Sequence, residues 1–340
     1  MTDERDGETM IVVESGIGGE KAKKKKTLRV VRIVRTASGA VGHFFHSLWF
    51  LFYSVVIAVA RNVLPWSVFR KKNVAGKVVL ITGAGSGIGR LLAERFAKLG
   101  SKLVLWDINE KGNAETAEIC KKNGAEVGEN MLTREVSTWQ FDISDREAVY
   151  AAAKEVKDTV GDVDILFNNA GILFGKLFLA TEDEKMSKLI DINVKAHFWT
   201  LKAFLPSMVE RNDGHVVSLC SLAGFVGAAG LVDYSTSKFA AIGLMEAISN
   251  ELAAMGKTGV KTTIVCPTFV STPMISHMKL PERYDRLEAS EVADQVVEAT
   301  LTNRRWMMMP KKMYWLYFAK GWLPTNVFNS LIIDKFIDPQ

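Results

Sequence analysis

Short apolar, largely β-branched runs alternate with helical stretches from Lys77 onward, and this alternation constrains the chain more than any other feature. Residues 78–81, 103–106, 164–167, 216–219 and 262–265 read as buried strands. Between the first two, Ile88, Leu91, Leu92, Phe96 and Leu99 recur at helical spacing, and Gly100 is placed to end that helix. Strands separated by helices pair in parallel and are covered on both faces. The sequence therefore predicts an α/β fold with a doubly wound parallel sheet, in one domain over residues 75–309. A hydrophobic content of 48% with 24% charged residues supplies the core this needs and excludes a disordered chain.

The first strand runs straight into Thr82-Gly83-Ala84-Gly85-Ser86-Gly87-Ile88-Gly89, and the first helix follows. Glycines let the backbone approach a pyrophosphate that sits on the positive end of the helix. The spacing is T-G-x-x-x-G-x-G, not G-x-G-x-x-G. A glycine turn alone is a weak signal, but this one joins a strand to a helix, which points to a Rossmann-type dinucleotide site. Gly83, Ser86, Gly87, Ile88 and Gly89 are its candidate residues. Asp107 ends the second strand, where a carboxylate accepts bonds from adenine-ribose hydroxyls and repels a 2′-phosphate. The expected cofactor is NAD, although Arg90 is a nearby cation that leaves NADP open.

Two segments flank this domain. Residues 41–60 form a 20-residue run without a charged side chain. As a helix it would reach roughly 30 Å, the thickness of a bilayer's hydrocarbon core. The run is too long, and lies too far from the start, for a cleavable signal peptide. It is expected to attach the chain to a membrane, behind a polar and basic tail over residues 1–40. Residues 21–37 carry eight Lys or Arg and no acid; removing those charges from the net +5 leaves −3 on the rest. A nucleic-acid enzyme would carry basic patches on its folded part, so nucleic acid is not an expected partner. Three cysteines, none in a CxxC pair, argue against a disulfide scaffold or a cysteine metal site, and no metal is expected. Eight basic residues precede the apolar run and five follow, which by charge alone keeps the amino terminus cytosolic. The absence of Asn-x-Ser/Thr and the few cysteines favour a cytosol-facing domain, which a monotopic insertion would reconcile. Residues 310–340 mix Tyr314, Trp315, Tyr317, Phe318 and Trp322 with lysines. They suit a membrane interface, a lid over an apolar pocket, or a helix packed on the domain.

Tyr234-Ser235-Thr236-Ser237-Lys238 puts a phenol and an ammonium on one face of a predicted helix. Phenol is a poor base at neutral pH, its reference pKa being about 10. A neighbouring ammonium stabilises the phenolate, which gives the pair a chemical rationale. Ser221 precedes Tyr234 by 13 residues and lies at the carboxyl end of a predicted strand, the edge where parallel sheets bind ligands.

With TGAGSGIG at 82–89, NNAG at 168–171, Asn193, Ser221, YSTSK at 234–238 and Pro267, the chain resembles the short-chain dehydrogenase/reductase family over roughly residues 75–310. LVLWDIN (103–109), HFWTLKAFLPSM (197–208), DYSTSKFA (233–240) and KTTIVCP (261–267) are similar to its membrane-bound retinol and lipid-droplet 17β-hydroxysteroid dehydrogenase branch. The resemblance implies that Tyr234 takes the alcohol proton, Lys238 binds the nicotinamide ribose, Ser221 holds the substrate oxygen and Asn193 orders a water relay. It also assigns Asp142 to the adenine, Asn169 to the adenosine ribose, and Pro267, Val270 and Thr272 to the nicotinamide side. Thr268 departs from the glycine common after that proline, and residues 123–140 are longer than the usual connection. The resemblance further implies a possible homodimer and residence at the endoplasmic reticulum membrane or lipid droplets.

The expected function is hydride transfer from a lipophilic alcohol, retinol-like or steroid-like, to NAD. Leu173, Phe174, Phe225, Met274 and Met278 are the apolar residues expected near the substrate. The alternatives are NADPH-dependent reduction of a lipophilic carbonyl, and a lipid-droplet protein whose nucleotide site serves regulation.

Overall fold

The computed structural model describes residues 45–53, 56, 68–125, 135–276, 278 and 286–328. The basic window at 21–37, residues 126–134 of the connection at 123–140 and the last twelve residues lie outside them. The chain divides into two units, Met1–Val68 and Phe69–Gln340. In the first, residues 45–53 are helical, and Phe45, Leu48, Trp49, Phe50, Leu51, Phe52 and Tyr53 are all exposed. Among the described residues no helix is long and apolar enough to cross a membrane.

The second unit is a seven-stranded, all-parallel sheet: β1 (Val78–Thr82), β2 (Lys102–Asp107), β3 (Val136–Gln140), β4 (Ile165–Asn168), β5 (Gly214–Leu219), β6 (Val260–Pro267) and β7 (Trp306–Met309). The spatial order is β3-β2-β1-β4-β5-β6-β7. Every residue of β1, β4 and β5 is buried, as expected of strands covered on both faces. Alternate residues serve opposite layers. Leu80, Val104, Leu166, Val216 and Ile264 join one core with α3 (Arg146–Thr159), α5 (Ala196–Arg211) and α6 (Val232–Ala254). On the other face, Phe96 of α1 (Gly87–Lys98) stacks on Phe167 with ring centroids 5.3 Å apart. There α1 also binds α7 (Ala289–Leu301) through Arg95 and Asp294, at 2.9 Å. The remaining helices are α2 (Glu110–Ala125), α4 (Asp183–Ile190) and α8 (Met313–Lys320).

Five strands fall where the sequence puts them. Two edge strands did not announce themselves. β3 is half-buried and mixed in composition, and β7 is Trp306-Met307-Met308-Met309, which lacks β-branched residues altogether. Because β1 is flanked by β2 on one side and β4 on the other, the connections leave it in opposite directions. A crevice therefore opens at the carboxyl ends of β1 and β4.

Two imidazoles are sealed in this core. Burial, with Lys238 nearby, pushes His197 down to about 3, and burial together with Lys72 and Lys261 pushes His215 well below its usual value. A base whose folded pKa is depressed contributes stability above its unfolded pKa of about 6.5 and loses it as pH falls. The melting temperature is therefore expected to fall between pH 7 and pH 5, above the range in which carboxylates titrate. A flat profile across that window would contradict the burial of neutral imidazoles.

Candidate active site

The glycine turn is built for close approach. A Cβ on Gly89 would sit 2.1 Å from the Gly83 carbonyl oxygen and 2.6 Å from Asn169 Nδ2. Gly89 is accordingly buried against the turn and does not line the cavity, unlike Gly83, Ser86, Gly87 and Ile88. The lack of a side chain there lets α1 pack directly against the turn. Ser86 caps α1 in an extended conformation without a side-chain bond to it, and the first turn of α1 carries no acid. The positive end of the helix is thus uncompensated, as an anion site requires.

Asp107 reaches back to this turn. Its carboxylate accepts from Gly85 N–H at 2.7 Å and from Asn109 N–H at 2.8 Å. Arg90, the cation that left cofactor choice open, is directed elsewhere. Its guanidinium donates to the Gly85 carbonyl at 2.6 Å, to Gly112 O at 3.2 Å and to Thr116 Oγ1 at 3.0 Å, and pairs with Glu115 at 3.2 Å. Asn169 is also spent on structure: Nδ2 donates to the carbonyls of Thr82 (2.8 Å) and Gly83 (3.1 Å). Burial opposes ionisation of Asp142, but Lys188 Nζ at 2.6 Å and the Ser144 bonds outweigh it and hold the carboxyl below its usual value.

Asn193 lies in a π-helical turn (Asp191–Lys195) between α4 and α5, a feature that recurs at functional sites. The turn aims its fully buried amide at the loop after β4. Oδ1 accepts from Ile172 N–H at 2.8 Å, while Nδ2 donates to Ile172 O at 3.0 Å and Ser237 Oγ at 3.1 Å. Lys238, one turn beyond Tyr234 on α6, is 4% exposed; its Nζ donates to Leu219 O at 2.9 Å and stands 5.5 Å from the Tyr234 ring centre. Ser221 follows β5, accepts from Ala223 N–H at 3.1 Å, and donates to Pro267 O over a long 3.4 Å. Thr272 faces Gly87 across the cleft, and Val270 bridges to Leu287.

These residues surround one cavity of about 350 Å³, within the roughly 300–1,000 Å³ usual for small-molecule sites. Asp107 and Asp142 line it toward β2 and β3, and Ser221, Tyr234 and Lys238 toward β5 and α6. Asn193 stands just behind the wall. A strand-end carboxylate, a glycine turn on a helix terminus and a phenol–ammonium pair thus line one crevice. The family model described as short chain dehydrogenase matches residues 77–282. The chain belongs to the short-chain dehydrogenase family. As a member it is an oxidoreductase. It is 49% identical to human epidermal retinol dehydrogenase 2 over 84% of this chain and 89% of that protein. It is 46% identical to human estradiol 17-beta-dehydrogenase 11 over 77% of this chain and 84% of that one. A short-chain dehydrogenase/reductase from Burkholderia phymatum, solved in complex with NAD, superposes with a TM-score of 0.66 at 26% identity, covering 79% of this chain and 99% of that one.

The short-chain dehydrogenase cavity continues into an apolar end. Leu173, Ala228, Leu231 and Ile275 cluster there with Tyr234, Phe269 and Met278 packed against them. Leu173 and Met274 line the cavity as the sequence suggested. Phe225 does not: it packs under α8, with Trp306 at 5.4 Å and Tyr317 at 4.8 Å. Phe174 lies under Lys185. The sequence missed Leu231, Phe269 and Leu316 because segments distant in the chain, among them α8, bring them to one cavity. Cys220, beside Ser221, is buried, and burial pushes its thiol up, so it packs as a small apolar residue.

Proposed function

We propose that this oxidoreductase passes a hydride from a lipophilic secondary or allylic primary alcohol to NAD. The grouping of Tyr234, Lys238 and Ser221 on one cavity wall, with an apolar end beyond them, carries the proposal. NAD fits the opposite end: the uncapped α1 terminus suits a pyrophosphate, and the Asp107 carboxylate suits two ribose hydroxyls. Bound there, the nicotinamide ring supplies the hydride acceptor.

The chain's own residues do the proton chemistry. Ser221 orients the alcohol oxygen through its weakly held hydroxyl. Tyr234 takes the alcohol proton as the hydride leaves, with the buried Lys238 Nζ 5.5 Å from its ring centre. Lys238, which lines the same cavity, would also hold the nicotinamide-ribose hydroxyls. Asn193, joined to the loop at Ile172, positions a water behind Lys238 that returns the proton to solvent. The relatives named for retinol and estradiol support a lipophilic substrate, and the apolar lining agrees.

NAD over NADP rests on Asp107 and on the engagement of Arg90 with the turn and α2. Asp107→Ala is expected to weaken NAD binding by roughly tenfold, a loss of charge-assisted hydrogen bonds, and to leave NADP binding unchanged or improved. Titration of both dinucleotides against the purified protein tests this; unchanged relative affinity would favour the NADPH-dependent reading. The apolar run at 41–60 and the exposed side chains of residues 45–53 support membrane attachment, and the absence of Asn-x-Ser/Thr with few cysteines favours a domain facing the cytosol.

A further inference from the structure

Two exposed apolar features rise from the carboxyl edge of the sheet around this cavity. One is the turn after β4, where Leu177, Phe178 and Leu179 are 60%, 52% and 96% exposed. It is tied to the cavity through Leu173, which lines it, and Gly175, which abuts Met278. The other is α8, which follows β7. Its inner side is firmly docked: the Tyr314 hydroxyl bridges the Met308 N–H (3.3 Å) and the Trp306 carbonyl (3.2 Å), and Lys320 Nζ donates to Phe225 O at 2.6 Å. Leu316 of the same helix lines the cavity. The outer side shows Trp315 at 78% and Trp322, just beyond, at 80% exposure.

A helix this well docked has no folding reason to leave two indoles in water. Its chemistry answers what covers them. Residues 310–328 contain no acid, and Lys311 and Lys312 lie just before α8; Lys320 belongs to its docked side. Indoles beside lysines favour the boundary between acyl chains and anionic headgroups. The helical residues 45–53, in the other unit, independently leave apolar side chains exposed, so the chain bears two separate surfaces that water does not favour. We propose that the Leu177–Leu179 turn and the outer side of α8 rest on an anionic phospholipid surface. The mouth of the cavity between them then opens to the lipid, and a lipophilic alcohol enters without crossing water. The route of entry rests on the substrate class proposed above; the docking itself does not.

The test uses the full chain in phosphatidylcholine vesicles with and without phosphatidylserine. A polarity-sensitive fluorophore is placed, one site at a time, on Leu179→Cys, Trp315→Cys and Met255→Cys. The native cysteines are all buried. Met255 is exposed where α6 ends before β6 begins, hence at the opposite edge of the sheet. Labels at 179 and 315 should be quenched by nitroxide lipid and shielded from aqueous iodide, more so with phosphatidylserine, while the label at 255 stays in water. Iodide-accessible labels at 179 and 315 would overturn the proposal. So would shielding without nitroxide quenching, which marks a protein contact instead. In a second arm, Leu179→Asp/Trp315→Asp should raise KM for a vesicle-dissolved alcohol by roughly tenfold, an interfacial binding loss, with kcat and melting temperature unchanged. An unchanged KM would overturn the entry route. Absence of turnover with every lipophilic alcohol would count against the substrate class alone, because the depth readout needs no substrate.

Discussion

Tyr234→Phe is expected to lower kcat by about 10²–10⁴-fold, the usual worth of a positioned acid–base group, while dinucleotide affinity stays within a few-fold. The substitution removes one oxygen and keeps the ring, which is partly exposed at the cavity wall and packs against the small apolar cluster. Lys238 keeps its bond to the Leu219 carbonyl, and Asn193 keeps its bonds to Ile172, because neither depends on the phenol. The melting temperature should therefore hold, and the loss should appear in kcat more than in KM, as befits an interaction made in the transition state. Lys238→Ala makes an informative contrast. It would remove a buried cation that braces β5 as well as the phenolate, so activity and stability should fall together.

Gly89→Ala should have the largest structural effect of any single methylation in the site. The added carbon would lie 2.1 Å from a backbone carbonyl oxygen, a contact that no rotamer change can relieve. Either α1 moves away from the turn or the turn moves away from β4, and both disturb the Asn169 bonds to Thr82 and Gly83. Overpacking of this kind costs typically 1–3 kcal/mol or more, and the displaced helix terminus should also abolish NAD binding. Gly87→Ala is the control. Its φ of +53° carries backbone strain, but the new carbon would meet Thr272 at an ordinary 3.5 Å. Thermal denaturation and dinucleotide titration of both variants separate packing from contact. Equal effects would contradict the assignment of Gly89 to packing.

The contrast between these glycines marks what was legible in the sequence. The strand–turn–helix unit, the acid after β2 and the Tyr-Lys spacing on α6 are local patterns, and each predicts its own geometry. The direction of a side chain at a turn is not local. Gly89 looks like Gly87 in the sequence and differs in backbone conformation and in the Gly83 carbonyl and Asn169 amide that press against it. Asn169 reads as a ligand residue and lines the cavity, and the sequence does not show that its Nδ2 also ties the end of β1 to the turn. The π-helical turn that aims Asn193 leaves no periodic trace, since one inserted residue between two helices keeps the apolar pattern on either side. β7 escaped because Met-Met-Met carries no strand preference and is held by pairing with β6. Phe225 was drawn to the site by proximity to Ser221 and is held away from it by α8. Arg90 is the clearest case in which structure adds a decision: its position in the sequence leaves it near the ribose, and three contacts to α2 with one to the Gly85 carbonyl hold it there.

Membranes containing this protein, supplied with NAD or NADP and either all-trans-retinol or a 17β-hydroxysteroid, give the most direct test of the central claim. A matched Tyr234→Phe preparation serves as the control, and product is followed by chromatography. Carbonyl product that forms with NAD in preference to NADP and disappears with Tyr234→Phe is the predicted result. Product of equal yield from Tyr234→Phe, or NAD binding without turnover of any lipophilic alcohol, would contradict it.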